Sequence, residues 1–262
     1  MNVAPSGGVR IAWASGLGAM TRQLGRSAAV SLLAGLAGGL VAGLLARIAM
    51  RVIALATPAE PGVITTSGAI VGTITAEGSA FVVVAGAVLG LPAGVAYLSV
   101  RRWLPVGRWS RRLAFGALSL CLGGGLIISA ANPDFARLGT PGLDVFVFAI
   151  SFVIAGITIS AVAERLDRQL PRTGPTDRSP LYIGTYAAIV IASVPFLFLA
   201  VIVALLPYAW LKVSDVAKRD HISLSIVPGS SAWRLGRAAV VIVASGGLLR
   251  LALEVAAIVA AR

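Results

Sequence analysis

The sequence predicts an all-α fold: a polytopic transmembrane helix bundle of about six spans, preceded by a short amphipathic helix at the membrane interface. Three observations carry this. Of 262 residues, 58% are hydrophobic and only 12% are charged, against about 25% charged in soluble domains. With a mean hydropathy of +0.93, there is too little polar surface to cover a soluble core. The charges gather between long apolar runs, and none of these runs alternates with the period of two that a barrel strand requires. Helices are then the structure that satisfies the backbone inside lipid. The 30 glycines follow no collagen period, and the apolar content excludes disorder.

The elements follow in order. Residues 1–26 carry Arg10, Arg22 and Arg26 and no acid, and Trp13, Leu17, Met20 and Leu24 recur beside them at helical spacing. This pattern predicts a basic helix lying on the inner leaflet. The next apolar run is too long for a signal-peptide core and contains Arg47 and Arg51, so it reads as an uncleaved anchor. A bilayer asks for about 20 apolar residues per helical crossing. Spans are expected at 27–50, 78–100, 113–133, 144–163, 181–210 and 238–260, making residues 27–262 one transmembrane domain. The uncharged stretch 61–76 is an outer loop, a dipping segment or an extension of span two. Ile222, Leu224 and Ile226 alternate before Pro228-Gly229, as in a short strand and turn. Asn132-Pro133-Asp134 reads as a turn or cap. Trp13, Trp103, Trp109, Trp210 and Trp233 all lie at or beyond the ends of the runs, where indoles meet the headgroups.

Cations set the orientation. With a cytoplasmic N-terminus, 13 of the 22 Lys and Arg residues fall on the inner side, as expected for a bacterial plasma-membrane protein. Lys212, Lys218, Arg219, Arg234 and Arg237 break the rule if 181–210 crosses once, tilted or kinked at Pro195, which is the expected arrangement. A re-entrant hairpin over 179–211 is the alternative, and it keeps those cations inside and puts the C-terminus outside. The net charge of +12 points to anionic lipid headgroups at the inner loops as partners. It does not point to nucleic acid, because no soluble face interleaves basic and aromatic residues.

Three groups of residues stand out. Gly35, Gly39 and Gly43 recur every four residues, as do Gly86, Gly90 and Gly94. Small residues at this spacing let membrane helices approach closely, either within this chain or against a partner subunit or second copy. Arg47 and Arg51 continue the first stripe into apolar surroundings and require snorkelling or a counter-ion. Glu77 is the natural counter-ion, with Asp134 and Asp144 as alternatives. This cluster is a structural ion pair, or else an anion or headgroup site or a gate. Arg250 and Glu254, at i and i+4, form a self-pairing couple or a relay.

Signatures of catalysis are sparse. His221 is the single histidine, which rules out HExxH zinc chemistry. Gly123-Gly124-Gly125 lies inside a span without the Lys-Ser/Thr of a phosphate loop. Cys121 is alone, so it forms no intrachain disulfide or cysteine-based metal site. Glu164 and Asp167 sit among Arg165 and Arg168 as a solvated charged face. No cofactor is expected.

The stretches 43–56 (GLLARIAMRVIALA), 101–105 (RRWLP), 132–139 (NPDFARLG) and 163–168 (AERLDR) together resemble an uncharacterised group of multi-pass membrane proteins from high-GC, actinobacteria-like genomes. The resemblance covers roughly residues 35–170 and implies no activity, cofactor or catalytic residue. It implies that Arg47, Arg51 and the Asp134 segment belong to one design. The expected function is a non-enzymatic accessory or assembly component that packs through its glycine-rich helix faces. The alternative is a small-solute or ion transporter with an Arg47–Arg51–Glu77 outer vestibule, and an intramembrane enzyme acting on lipid stands well behind both.

Overall fold

The computed structural model describes residues 7–56, 75–132, 141–169 and 231–260. The expected span at 181–210, the strand at 221–226, the stretch 61–74, Asp134 and the side chains of the Trp13–Leu24 stripe lie outside the described residues. Everything described is helix, turn or bend, with no strand among the described residues. The helices are α1 (Gly7–Ala56), α2 (Ala76–Val100), α3 (Arg108–Ser119), α4 (Pro141–Gln169) and α5 (Ser231–Ala260). Among the described residues, four stretches are long and apolar enough to cross a membrane: Arg26–Ala56 of α1, Ala76–Val100, Gly142–Gln169 and Trp233–Ala260.

Local chemistry explains where the helices begin and end. α1 runs unbroken through residue 26, so the basic N-terminal segment and the first span form one rod of roughly 75 Å. α2 starts at Thr75, whose hydroxyl accepts the Gly78 N–H at 3.2 Å, satisfying one of the orphan donors of the first turn. The region expected as a span at 113–133 is less regular. α3 gives way to a π-helical turn at Leu120–Gly124, followed by one helical turn at Gly125–Ile127. Ile128 then leaves the helical region with ψ near 88°. The three consecutive glycines supply the backbone freedom for this, and the Phe152 ring fills the space beside Gly123.

Close backbone approach builds the bundle. A Cβ on Gly35 would lie 2.5 Å from the Gly90 carbonyl oxygen, and one on Gly43 would lie 2.7 Å from Val83 Cα. From the other side, a Cβ on Gly86 would lie 2.6 Å from the Gly39 carbonyl, and one on Gly94 would lie 2.7 Å from Gly35 N. All six glycines of the two stripes therefore line a single seam between α1 and α2. A second seam was not singled out by the sequence: Gly156 of α4 faces Gly116 of α3, with 2.8 Å between its Cβ position and Gly116 Cα. Gly38, on another face of α1, meets Ala155 and Ile159 of α4. α1 is thus the shared wall between α2 and α4. Around these seams Val30, Ala34, Tyr97, Leu104, Phe115, Leu118, Ile159 and Ala163 form one apolar cluster, while Ile128, Leu251 and Ile258 form another at the opposite end.

The direction of α5 departs from the six-span expectation. The Trp233 indole N–H donates to the Arg102 carbonyl at 3.2 Å, and Gly247 packs on the Cys121 backbone. Glu254 reaches Ser129 beyond the end of α3. α5 therefore runs parallel to α3, and it starts at the end of the bundle where α4 finishes. The expected crossing at 181–210, between those two ends, lies outside the described residues.

The seam yields a direct test. Gly39→Ala drives a methyl into the backbone of Gly86 and Ala87 and should cost about 1–3 kcal/mol in reversible unfolding in mixed micelles. Gly246 has nothing within 4 Å of its Cβ position. Gly246→Ala should accordingly be neutral, or stabilising by up to about 1 kcal/mol through helix propensity.

Candidate functional site

The charged residues fall into two groups, one at each end of the bundle. At the end that holds the α2–α3 turn, Glu164 and Asp167 of α4 are three residues apart and so share one helix face. Glu164 accepts from Arg112 through Nη2 at 2.9 Å and Nε at 3.2 Å. Arg111 approaches its other oxygen at 3.6 Å, and the Tyr97 hydroxyl donates to that oxygen at 3.5 Å. Asp167 pairs with Arg26 of α1 and with Arg101 at the end of α2, each at 3.1 Å. Arg26 also donates to the Asp167 backbone carbonyl. Two carboxylates on α4 thus gather side chains from α1, α2 and α3.

Burial grades the two halves of this network. The side chains of Arg112 and Glu164 are only 7% and 13% exposed, whereas Asp167 is 35% exposed. Arg112 also lies 5.3 Å from the Trp109 ring centre, and Tyr97 meets Phe115 edge-on with centroids 4.9 Å apart. The solvated charged face expected at Glu164 and Asp167 is therefore corrected. Their face turns toward the other helices, where an unpaired carboxylate is costly and a paired one bridges elements. The signal was present in the i, i+3 acids and the adjacent Arg111 and Arg112. Their partnership across about fifty residues of chain was not.

At the opposite end, the predicted cluster is only partly brought together. The Arg47 guanidinium lies over the first turn of α2, with Nη2 2.5 Å from where a Gly78 Cβ would be. Glu77, the preceding residue, is exposed, and the ion pairs among the described residues do not include one between it and Arg47. Arg47 Nη1 contacts the Met50 sulfur at 4.0 Å, while its Nε is buried without a hydrogen-bond partner. Arg51 follows one turn later and is exposed. Asp144 is buried in the first turn of α4, where the helix dipole favours a carboxylate. α1 and α2 are locked by their glycine seam, not by an Arg–Glu clasp.

The ion pairs among the described residues do not include Arg250 with Glu254. Glu254 accepts from the Ser129 hydroxyl at 3.0 Å and from the Ala130 N–H at 2.8 Å, both through Oε2. It ties α5 to the chain leaving α3, while the Arg250 stem lies along Gly125. The Ala130 backbone N–H, beyond the helical turn at Gly125–Ile127, offers the carboxylate a neutral, well-directed donor. Among the described residues, no group of three His, Cys, Asp or Glu side chains is placed to hold a metal.

No protein-family model, curated protein or solved structure matches this chain.

Removing one partner from a buried pair leaves the other charge stranded. Glu164→Ala should destabilise the bundle by about 3–5 kcal/mol, and Asp167→Ala, at a more exposed site, by about 1 kcal/mol or less. Unfolding midpoints in one detergent check the order, and equal effects would contradict the division into a buried and an exposed half.

Proposed function

We propose that this chain is a non-enzymatic accessory or assembly component of a bacterial plasma membrane, with its arginine-rich end in the cytoplasm. The observation that carries the reading is where the reactive-looking groups go. Six glycines meet one another inside the chain, and the carboxylates of α4 and α5 hold neighbouring helices. The glycine stripes are consequently not the surface for a partner. α5 is that surface: only 11% of its apolar window is buried within the chain, against 28–39% for the other three long helices.

The same reading fixes an orientation. Arg101, Arg102, Arg108, Arg111, Arg112, Arg165, Arg168, Arg234 and Arg237 lie at the end where α2 and α4 finish and α3 and α5 begin. Placing that end in the cytoplasm satisfies the positive-inside rule with fewer exceptions than six alternating spans. It puts the end of α4 and the start of α5 on one side of the membrane and the end of α5 on the other. The basic N-terminal segment then continues α1 toward the cytoplasm.

A transporter is the second reading, favoured by the buried, partnerless Nε of Arg47 at the outer end. Purification in mild detergent with mass spectrometry separates the two. The expected result is a stoichiometric membrane partner that is lost when exposed apolar residues of α5, such as Ile242 and Leu249, are replaced with polar ones. A partner-free particle showing Arg47-dependent solute flux in liposomes would overturn it. For orientation, single cysteines at Ser110 and Arg234 in a Cys121→Ser background should react with an impermeant thiol reagent from the same side of the membrane.

A further inference from the structure

The α2–α3 turn and the start of α5 form a surface that the ion-pair network leaves unused. The Trp233 indole is hydrogen-bonded to the Arg102 carbonyl, and Gly236 leaves the space that the Trp103 ring occupies. The Arg102 guanidinium lies 6.0 Å from the Trp103 ring centre and that of Arg237 lies 5.2 Å from Trp233. Two guanidiniums therefore flank a pair of indoles on adjoining elements. Arg26, Arg101, Arg111 and Arg112 are matched to carboxylates, but the ion pairs among the described residues include neither Arg102 nor Arg237. Both are exposed.

The position of this surface narrows what it binds. Val100 ends α2, and Trp233 opens the apolar window of α5, so the two arginines sit at the edge of the hydrocarbon, at the level indoles prefer. Val106 and Trp109 beside them are 81% and 65% exposed, an arrangement suited to lipid more than to water. Val241 and Leu248, exposed and four and eleven residues beyond Arg237, lie on the same side of α5 as Arg237 and continue the apolar surface away from the arginines. Planar guanidiniums grip phosphate oxygens in pairs, and basic pockets between membrane helices recruit anionic headgroups. We propose that Arg102 and Arg237, with Trp103 and Trp233, bind the phosphate of one anionic glycerophospholipid whose acyl chains lie along α5. This does not depend on the assembly reading, since a transporter or a lone bundle would carry the same site.

The test is lipid titration of the full-length detergent-solubilised protein followed by native mass spectrometry. Phosphatidylglycerol should occupy the first site at least about tenfold more tightly than phosphatidylcholine. Arg102→Gln and Arg237→Gln should each weaken it about fivefold, as expected for loss of one cation near a headgroup. Arg102→Lys should retain most of the binding, and Arg165→Gln, on α4 at the same end, should change it less than about twofold. Equal binding of the two lipids in the unaltered protein would overturn the proposal without recourse to any variant. So would an Arg165→Gln loss as large as that of Arg102→Gln, which would indicate diffuse charge attraction. Displacement of the lipid by millimolar inorganic phosphate would assign the site to a free anion instead.

Discussion

Apolar side chains gain little by leaving lipid for one another, so a membrane bundle needs another reason to hold together. Here that reason is the absence of side chains between α1 and α2. Six glycines allow carbonyl oxygens and Cα atoms of the two helices to meet at distances a Cβ would forbid. Dispersion contacts and weak Cα–H···O contacts of that kind are individually small and accumulate over the length of the seam. Because α1 presents a different face, through Gly38, to α4, the seam also fixes where α4 sits. Through Gly116 and Gly156 it fixes α3 as well. The order of contact runs α2, α1, α4, α3, with α5 joined to the π turn at the far side.

Charge then selects among the arrangements that close packing permits. Glycine seams tolerate sliding by a helical turn, whereas the hydrogen bonds of Glu164 with Arg112 do not. The network at the arginine-rich end thus acts as a register pin for α1 to α4. α5 has a lighter attachment: an indole hydrogen bond at one end, Glu254 at the other, and a glycine against Cys121 between them. Among the described residues, then, four helices interlock closely and α5 is held by fewer contacts.

Much of this was legible from spacing and hydropathy. The start of α2 near residue 78 follows from the charge-free run, and the glycine stripes follow from their four-residue steps. Other parts were not legible for physical reasons. α4 continues to Gln169 because Glu164 and Asp167, which look like the end of a span, are neutralised by cations distant in sequence. α3 ends early because three glycines relax its hydrogen-bond pattern, and hydropathy does not register that change. The direction of α5 was signalled only by a misfit, since the cations at 212–237 sat badly on the outer side. Arg47 could be recognised as unusual, but no local pattern shows that its guanidinium rests on Gly78 and not on Glu77.

The position of the two acids of α4 along the chain has a consequence for biogenesis. Arg26, Arg101, Arg111 and Arg112 all precede Glu164 and Asp167, and a chain is threaded into the membrane from its N-terminus. In the proposed orientation, while the first three helices are being inserted, the carboxylates of α4 are still to come and these cations act as retention signals on the cytoplasmic face. Only when α4 arrives are they neutralised and folded inward. The same arginines serve first to orient the nascent chain and later to join its helices, and the late appearance of the acids keeps the two roles apart in time.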